Sequence, residues 1–191
     1  MNGPNFLNSI RPILFLFVYL FVAGEVAYCC MQRNRFYSLN DSLINIGSTT
    51  IELFTEFAFL PMNYYLYSRL NQVAFFQIGT SWKSFLALYL GIDLGFYLIH
   101  RFGHRNAWLW TLHRVHHSSH ELNMSVAIRT HALQRVFFVC IYWPLALIGF
   151  SAEQIIATHV IGITLGFLTH TRVVKSWGFL EWIFNSPSHH R

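Results

Sequence analysis

The apolar runs decide what this chain can become. A helix needs about 20 apolar residues to cross the hydrocarbon core of a bilayer, and runs near that length occupy 12–31, 43–67 and 82–99. Two shorter runs, 136–150 and 155–169, are separated by Ser151, Ala152, Glu153 and Gln154 and read as a hairpin of tilted spans or a re-entrant pair. The sequence therefore predicts an all-α fold: a polytopic membrane helical bundle. Arg11 precedes the first run as in a signal peptide, but the run exceeds the ~7–15 apolar residues of such a segment. No strong small-residue cleavage pattern follows it, so a retained helix is expected.

Composition supports the same class. Only 11% of residues are charged and 54% are hydrophobic, against about 25% charged in a soluble domain. The 19 Phe, 9 Tyr and 6 Trp suit helix packing in lipid and anchoring at the headgroup level. The net charge of +5 comes from basic residues flanking apolar runs, which points to membrane orientation and away from nucleic acid. Cys29, Cys30 and Cys140 have neither zinc spacing nor a disulfide framework and read as packing residues. Glu52 and Glu56, four apart in the second run, share a helical face; pairing within the bundle is favoured over lining a substrate cavity. Pro61 is placed to kink or end that helix.

Histidine is the anomaly. There are 11, and seven fall between His100 and His131. His100 and His104 form HxxxH, one turn apart on one helical face, where two imidazoles can chelate one metal. His113, His116 and His117 form HxxHH, again read as a single helical face. Neutral imidazole suits iron, zinc and copper. Asp93 and Tyr97 continue the face of His100 into the span, and Asp93 is the candidate carboxylate for orienting a ligand imidazole. His120, His131 and His159 read individually as hydrogen-bonded core or interface residues. His170 ends an apolar run, and His189 and His190 end the sequence before Arg191. If the histidine stretch is cytoplasmic, ten of the 13 Lys and Arg share its side and only Arg11, Arg69 and Lys83 face away, so the histidine-rich cap is expected on the cytoplasmic face.

The segments from Asp93 to His104, His113 to Ser119 and Asn185 to Arg191 resemble the fatty acid hydroxylase and sterol desaturase superfamily. The similarity is greatest to its alkylglycerol monooxygenase-like branch and covers roughly Leu86 to Arg191. It implies an N-terminal transmembrane region over 1–84 and a fatty acid hydroxylase-like domain over 85–191. It also implies two non-haem irons, with His100, His104, His113, His116, His117, His170 and His190 as metal ligands and His189 beside them. Ser118, Ser119, Asn123 and Arg129 match the stretch after the second box, as site-shaping, surface or capping residues. The implied activity is O2-dependent hydroxylation or desaturation of a lipid, at an alkyl or acyl chain or a sterol. Electrons come from outside, from tetrahydrobiopterin, cytochrome b5 or ferredoxin. The implied location is the endoplasmic reticulum in a eukaryote or the inner membrane in a bacterium. The third box opens at His190 and its other histidines would fall beyond Arg191, so a sequence truncated inside that box is expected, with one iron weakly held. Two other classes stay open: a catalytically inactive membrane scaffold, and a membrane cytochrome with axial histidines, which a Soret band would reveal.

Overall fold

The computed structural model describes residues 3–190, and side chains except those of 3–11, 15 and 135–140. Arg11, Arg135 and Arg191 of the charge count, and Cys140, therefore lie outside the described side chains. The described residues form helices α1 (Gly3–Met31), α2 (Leu39–Gln72), α3 (Trp82–Arg105), α4 (Ala107–His113), α5 (Gln134–Ile148), α6 (Ala152–Phe167) and α7 (Pro187–His190). Short 3-10 turns occupy His116–Ser118, Met124–Ile128, Leu168–His170 and Gly178–Trp182. No strand occurs among the described residues.

Local chemistry sets the helix starts. The Ser38 hydroxyl accepts from the Asp41 N–H at the head of α2. Ser81 with Ser84, and Ser151 with Gln154, form reciprocal capping boxes on α3 and α6. Asn106 caps α4 through Trp108 and Leu109 N–H groups. Among the described residues, three helical segments are long and apolar enough to cross a membrane: Pro12–Met31, Trp82–Arg105 and Ala152–His170. The second expected run does form a helix, α2, but it is not among these three. Its polar residues, including Asn45, Ser48 and Glu52, dilute its apolar character. Nor does Pro61 end it: α2 continues to Gln72, 34 residues in all, about 51 Å at 1.5 Å per residue. Of the expected hairpin, α5 has 15 residues, about 22 Å, and the α6 arm reaches membrane length only with its terminal turn through His170.

The core joins α2, α3, α5 and α6 through Tyr67, Leu88, Ile92, Tyr142, Ala146 and Ile155. Outward faces stay apolar: Phe57 is 80% exposed and Trp108 83%, as expected of surface meeting lipid or its headgroups. At one end of the bundle the connection after α2 lies on the α5–α6 hairpin tip, with Phe75 N–H donating to Leu147 O and Ile78 N–H to Gly149 O. Gly149 has φ +132°, and a Cβ there would stand 2.3 Å from Phe76 O. Gly149→Ala should therefore destabilise the fold by at least the ~1–3 kcal/mol of a strained backbone position. Thermal denaturation in detergent checks this; an unchanged midpoint would show that the hairpin tip is not so constrained.

Candidate metal centre

The opposite end of the bundle, where α1, α3 and α6 finish and α2 and α5 begin, gathers the histidines. α3 carries His100 and His104, one turn apart, with Nε2 atoms 3.2 Å from each other. Asn106 then breaks α3 and starts α4, which returns His113 to them, its ring centroid 4.5 Å from that of His100. Gly103 makes this approach possible, since a Cβ there would stand 3.1 Å from His113 Cγ.

The HxxHH motif is not one helical face, as its spacing had suggested. α4 ends at His113, and His116–Ser118 forms a tighter 3-10 turn. The altered twist sends the three imidazoles to two places. His117 Nε2 lies 3.2 Å from His113 Nε2, so these two join His100 and His104. His116 turns the other way, its Nε2 2.9 Å from that of His170. Two sets result, His100, His104, His113 and His117, and His116, His170 and His190; within each set the ligand atoms lie within 4.8 Å of one another. The sets adjoin, the His100 and His190 ring centroids being 5.8 Å apart.

The second set tests the donor chemistry. His116 Nδ1 lies 3.2 Å from Arg129 O, and His170 Nδ1 lies 3.3 Å from Gly166 O. A carbonyl only accepts, and the Thr169 hydroxyl 3.1 Å from His170 Nδ1 gives its proton to Gly166 O, so these contacts favour the tautomers with the proton on Nδ1 and a lone pair on Nε2. Two lone pairs facing across 2.9 Å do not attract each other; a cation shared between them would. Nitrogens bound at ~2.1 Å to one ion stand roughly 3.0–3.4 Å apart; the 3.2 Å spacings in the first set fall in that range and the 2.9 Å in the second lies just below it. The Nδ1–carbonyl contacts match the way ligand imidazoles are usually oriented.

His113, His116 and His170 are buried. Burial, reinforced by facing imidazoles, holds His113 down to about 3, His116 to about 2 and His117 to about 4, and pushes His190 down as well. These rings are neutral at pH 7, the form that donates to metals. Their folded pKa values lie below the unfolded 6.5, so the unfolded chain binds more protons as pH falls and the metal-free fold loses stability below about 6.5. The denaturant midpoint of metal-free protein should drop between pH 7 and pH 5. A flat profile would show that these rings are not desolvated.

Several expected residues fall elsewhere. Asp93 is exposed on α3 and no hydrogen bond joins it to a histidine among the described residues. Seven residues separate it from His100, about 10.5 Å along the helix, too far for so short a side chain; backbone carbonyls make the orienting contacts instead. Tyr97 bonds Arg101. His189 is exposed and, like His120, His131 and His159, joins neither set. Glu52 is buried within the bundle. Ser118 binds Val115 O locally, whereas Ser119, Asn123 and Arg129 enter a buried network under the second set. There Arg129 pairs with Asp41 at 2.6 Å and reaches Asn45 Oδ1 at 3.3 Å. Ser119 bonds Asp41, Asn45 donates to Ser125 Oγ at 2.8 Å, and Asn123 donates to Phe36 O at 2.6 Å. Glu25, Asp41 and Asn45 were not anticipated; a lone carboxylate inside the first apolar run was the available signal for Glu25.

Fold and site together define the class: an all-helical chain, among its described residues, with three membrane-length helices and two adjoining sets of imidazoles able to hold metal ions. A model of the fatty acid hydroxylase family matches residues 85–191, and the chain belongs to that family. It is 32% identical to an alkylglycerol monooxygenase of Xenopus tropicalis over 98% of its own length and 42% of the relative's. It is 33% identical to the Homo sapiens alkylglycerol monooxygenase, again over 98% of this chain and 42% of that one. An ornithine lipid hydroxylase of Rhizobium tropici is 30% identical over 58% of this chain and 34% of its own. The chain thus spans about two fifths of the length of the alkylglycerol monooxygenases it matches most fully. No solved structure matches it.

Proposed function

We propose that this chain is the metal-binding part of an integral-membrane, non-haem di-iron monooxygenase that hydroxylates a lipid. The observation that carries this reading is the pair of adjoining imidazole sets at the end of membrane-length helices. His100, His104, His113 and His117 would hold one iron, and His116, His170 and His190 the other. When bound, the irons supply activation of O2 toward an unactivated C–H bond. The overall change is R–H + O2 + two electrons + two protons giving R–OH + H2O, with electrons from tetrahydrobiopterin, cytochrome b5 or ferredoxin.

The protein's own contribution is placement. Arg129 O and Gly166 O hold the His116 and His170 rings with Nε2 inward. The apolar outer faces of α1 and α3 keep the site within reach of lipid tails. Hydroxylation is the part of the activity that the names of the relatives support, an alkylglycerol ether or an amino-acid lipid being the first substrates to try. The excess of Lys and Arg on the histidine side supports a cytoplasmic orientation.

The test is incorporation of labelled oxygen. The iron-loaded chain in lipid vesicles, given 18O2, each electron donor in turn and either lipid, should yield product carrying one 18O atom. Iron bound at two per chain with no product under any donor would sink the monooxygenase reading. No bound metal would sink the di-iron reading itself.

A further inference from the structure

α1 is almost bare. Of its described side chains only Glu25 and Cys29, one turn apart, are buried, and a carboxylate at 5% exposure in so apolar a helix needs a reason. Glu25 receives three hydrogen bonds. Tyr37 OH donates to Oε2 at 2.5 Å, Met124 N–H donates to Oε2 at 2.8 Å, and the Thr171 hydroxyl donates to Oε1. The last two donors lie 47 residues apart in sequence but serve one purpose. Met124 opens the 3-10 turn Met124–Ile128, which runs directly into Arg129, whose carbonyl accepts from His116 Nδ1. Thr171 is the chain neighbour of His170.

We infer that Glu25 is a positioning residue that clamps the backbone segment orienting His116, through Arg129 O, to the segment carrying His170, and so sets the spacing of the second imidazole set. The inference rests on the metal reading above. The two sets differ in what assembles them. His100, His104, His113 and His117 come from two consecutive helices and the 3-10 turn that follows them, and are organised locally, by the break at Asn106. His116 and His170 lie 54 residues apart, so their meeting depends on tertiary contacts. One face of the carboxylate is given to the Met124 turn and the other to Thr171, so a single group on α1 fixes both. α1 thereby becomes part of the metal centre and not only a membrane anchor.

Glu25→Gln preserves volume but removes the charge and turns one acceptor atom into a donor, so either the Met124 N–H loses its acceptor or the Thr171 hydroxyl has to turn from donor to acceptor. Titration of the metal-free chain in detergent with Co(II), read by visible absorption and by metal content after gel filtration, tests the clamp. Wild type should take up two equivalents. In Glu25→Gln the first equivalent should bind with affinity unchanged within twofold, while the second weakens at least tenfold, the range seen when an orienting group behind a ligand is lost. Helix content should be unchanged by circular dichroism. A merely structural anchor would weaken both equivalents together or neither, and either result overturns the clamp while leaving the metal reading intact. No uptake by wild type overturns both. If Glu25→Gln does not fold, Thr171→Val, which deletes one hydroxyl and leaves the carboxylate in place, should reproduce the selective loss; two unchanged equivalents in that variant also overturn the proposal.

Discussion

His116→Ala should lose the second metal equivalent and reduce product formation at least ~100-fold. Altering a group that merely orients a ligand already lowers metal affinity 10–100-fold, and in the proposed centre His116 supplies a ligand atom itself. Its position makes it the most exposed point of failure in the chemistry, although it is among the buried residues in the structure. It alone of the HxxHH residues faces His170, at 2.9 Å between Nε2 atoms. The second set has three members against four in the first, so one deletion leaves two imidazoles. The variant also strands the Arg129 carbonyl that His116 satisfied, adding a ~1–3 kcal/mol penalty. His117→Ala should act on the other set and leave three imidazoles there. His120→Ala, an exposed ring outside both sets, should change neither metal content nor rate. Metal analysis beside the labelled-oxygen assay separates the three variants; full activity in His116→Ala would remove His116 from the centre.

That prediction depends on geometry the sequence showed only in part. HxxxH spacing put His100 and His104 on one face because helical periodicity is local, and α3 does continue through both. The same periodicity misled at HxxHH. It holds only while the helix lasts, and α4 stops at His113, so i+3 and i+4 diverge into separate sets. His170 and His190 were connected to the others by resemblance alone, since no local rule brings a residue 54 positions away to His116. The orienting groups were invisible for a different reason. A sequence displays side chains, of which Asp93 is the carboxylate nearest His100 on its helical face, whereas the contacts are made by the backbone carbonyls of Arg129 and Gly166. Of the spans, the first and third were plain from hydropathy. α2 formed where expected, but its polar residues pack at the histidine end: Asn45 is fully buried against Ser125 and Arg129.

The second large effect concerns stability. Arg129→Met should destabilise the fold by roughly 3–5 kcal/mol, the cost of leaving one charge of a buried pair uncompensated. The Arg129 and Asp41 side chains are only 8% and 13% exposed, with Nη1 2.6 Å from Oδ1. Met approximates the length of the arginine stem but offers Asp41 no donor, leaving Ser119 as its remaining hydroxyl partner. The pair itself need not add net stability, because both charges had to be desolvated and the Arg129 Nε is buried without a hydrogen-bond partner. Neutralising the stranded carboxylate should therefore rescue the fold: Arg129→Met with Asp41→Asn should recover most of the loss, since Asn still accepts from Ser119. The pair is better explained by what it positions, because Arg129 presents its carbonyl to His116 while its side chain ties that segment to α2. The double variant should accordingly regain stability yet bind the second metal equivalent more weakly than wild type. Denaturant unfolding and metal titration on the same samples decide it. A loss under 1 kcal/mol in the single variant would show that Asp41 is solvated, and full recovery of metal affinity in the double would show that the ion pair does not position His116.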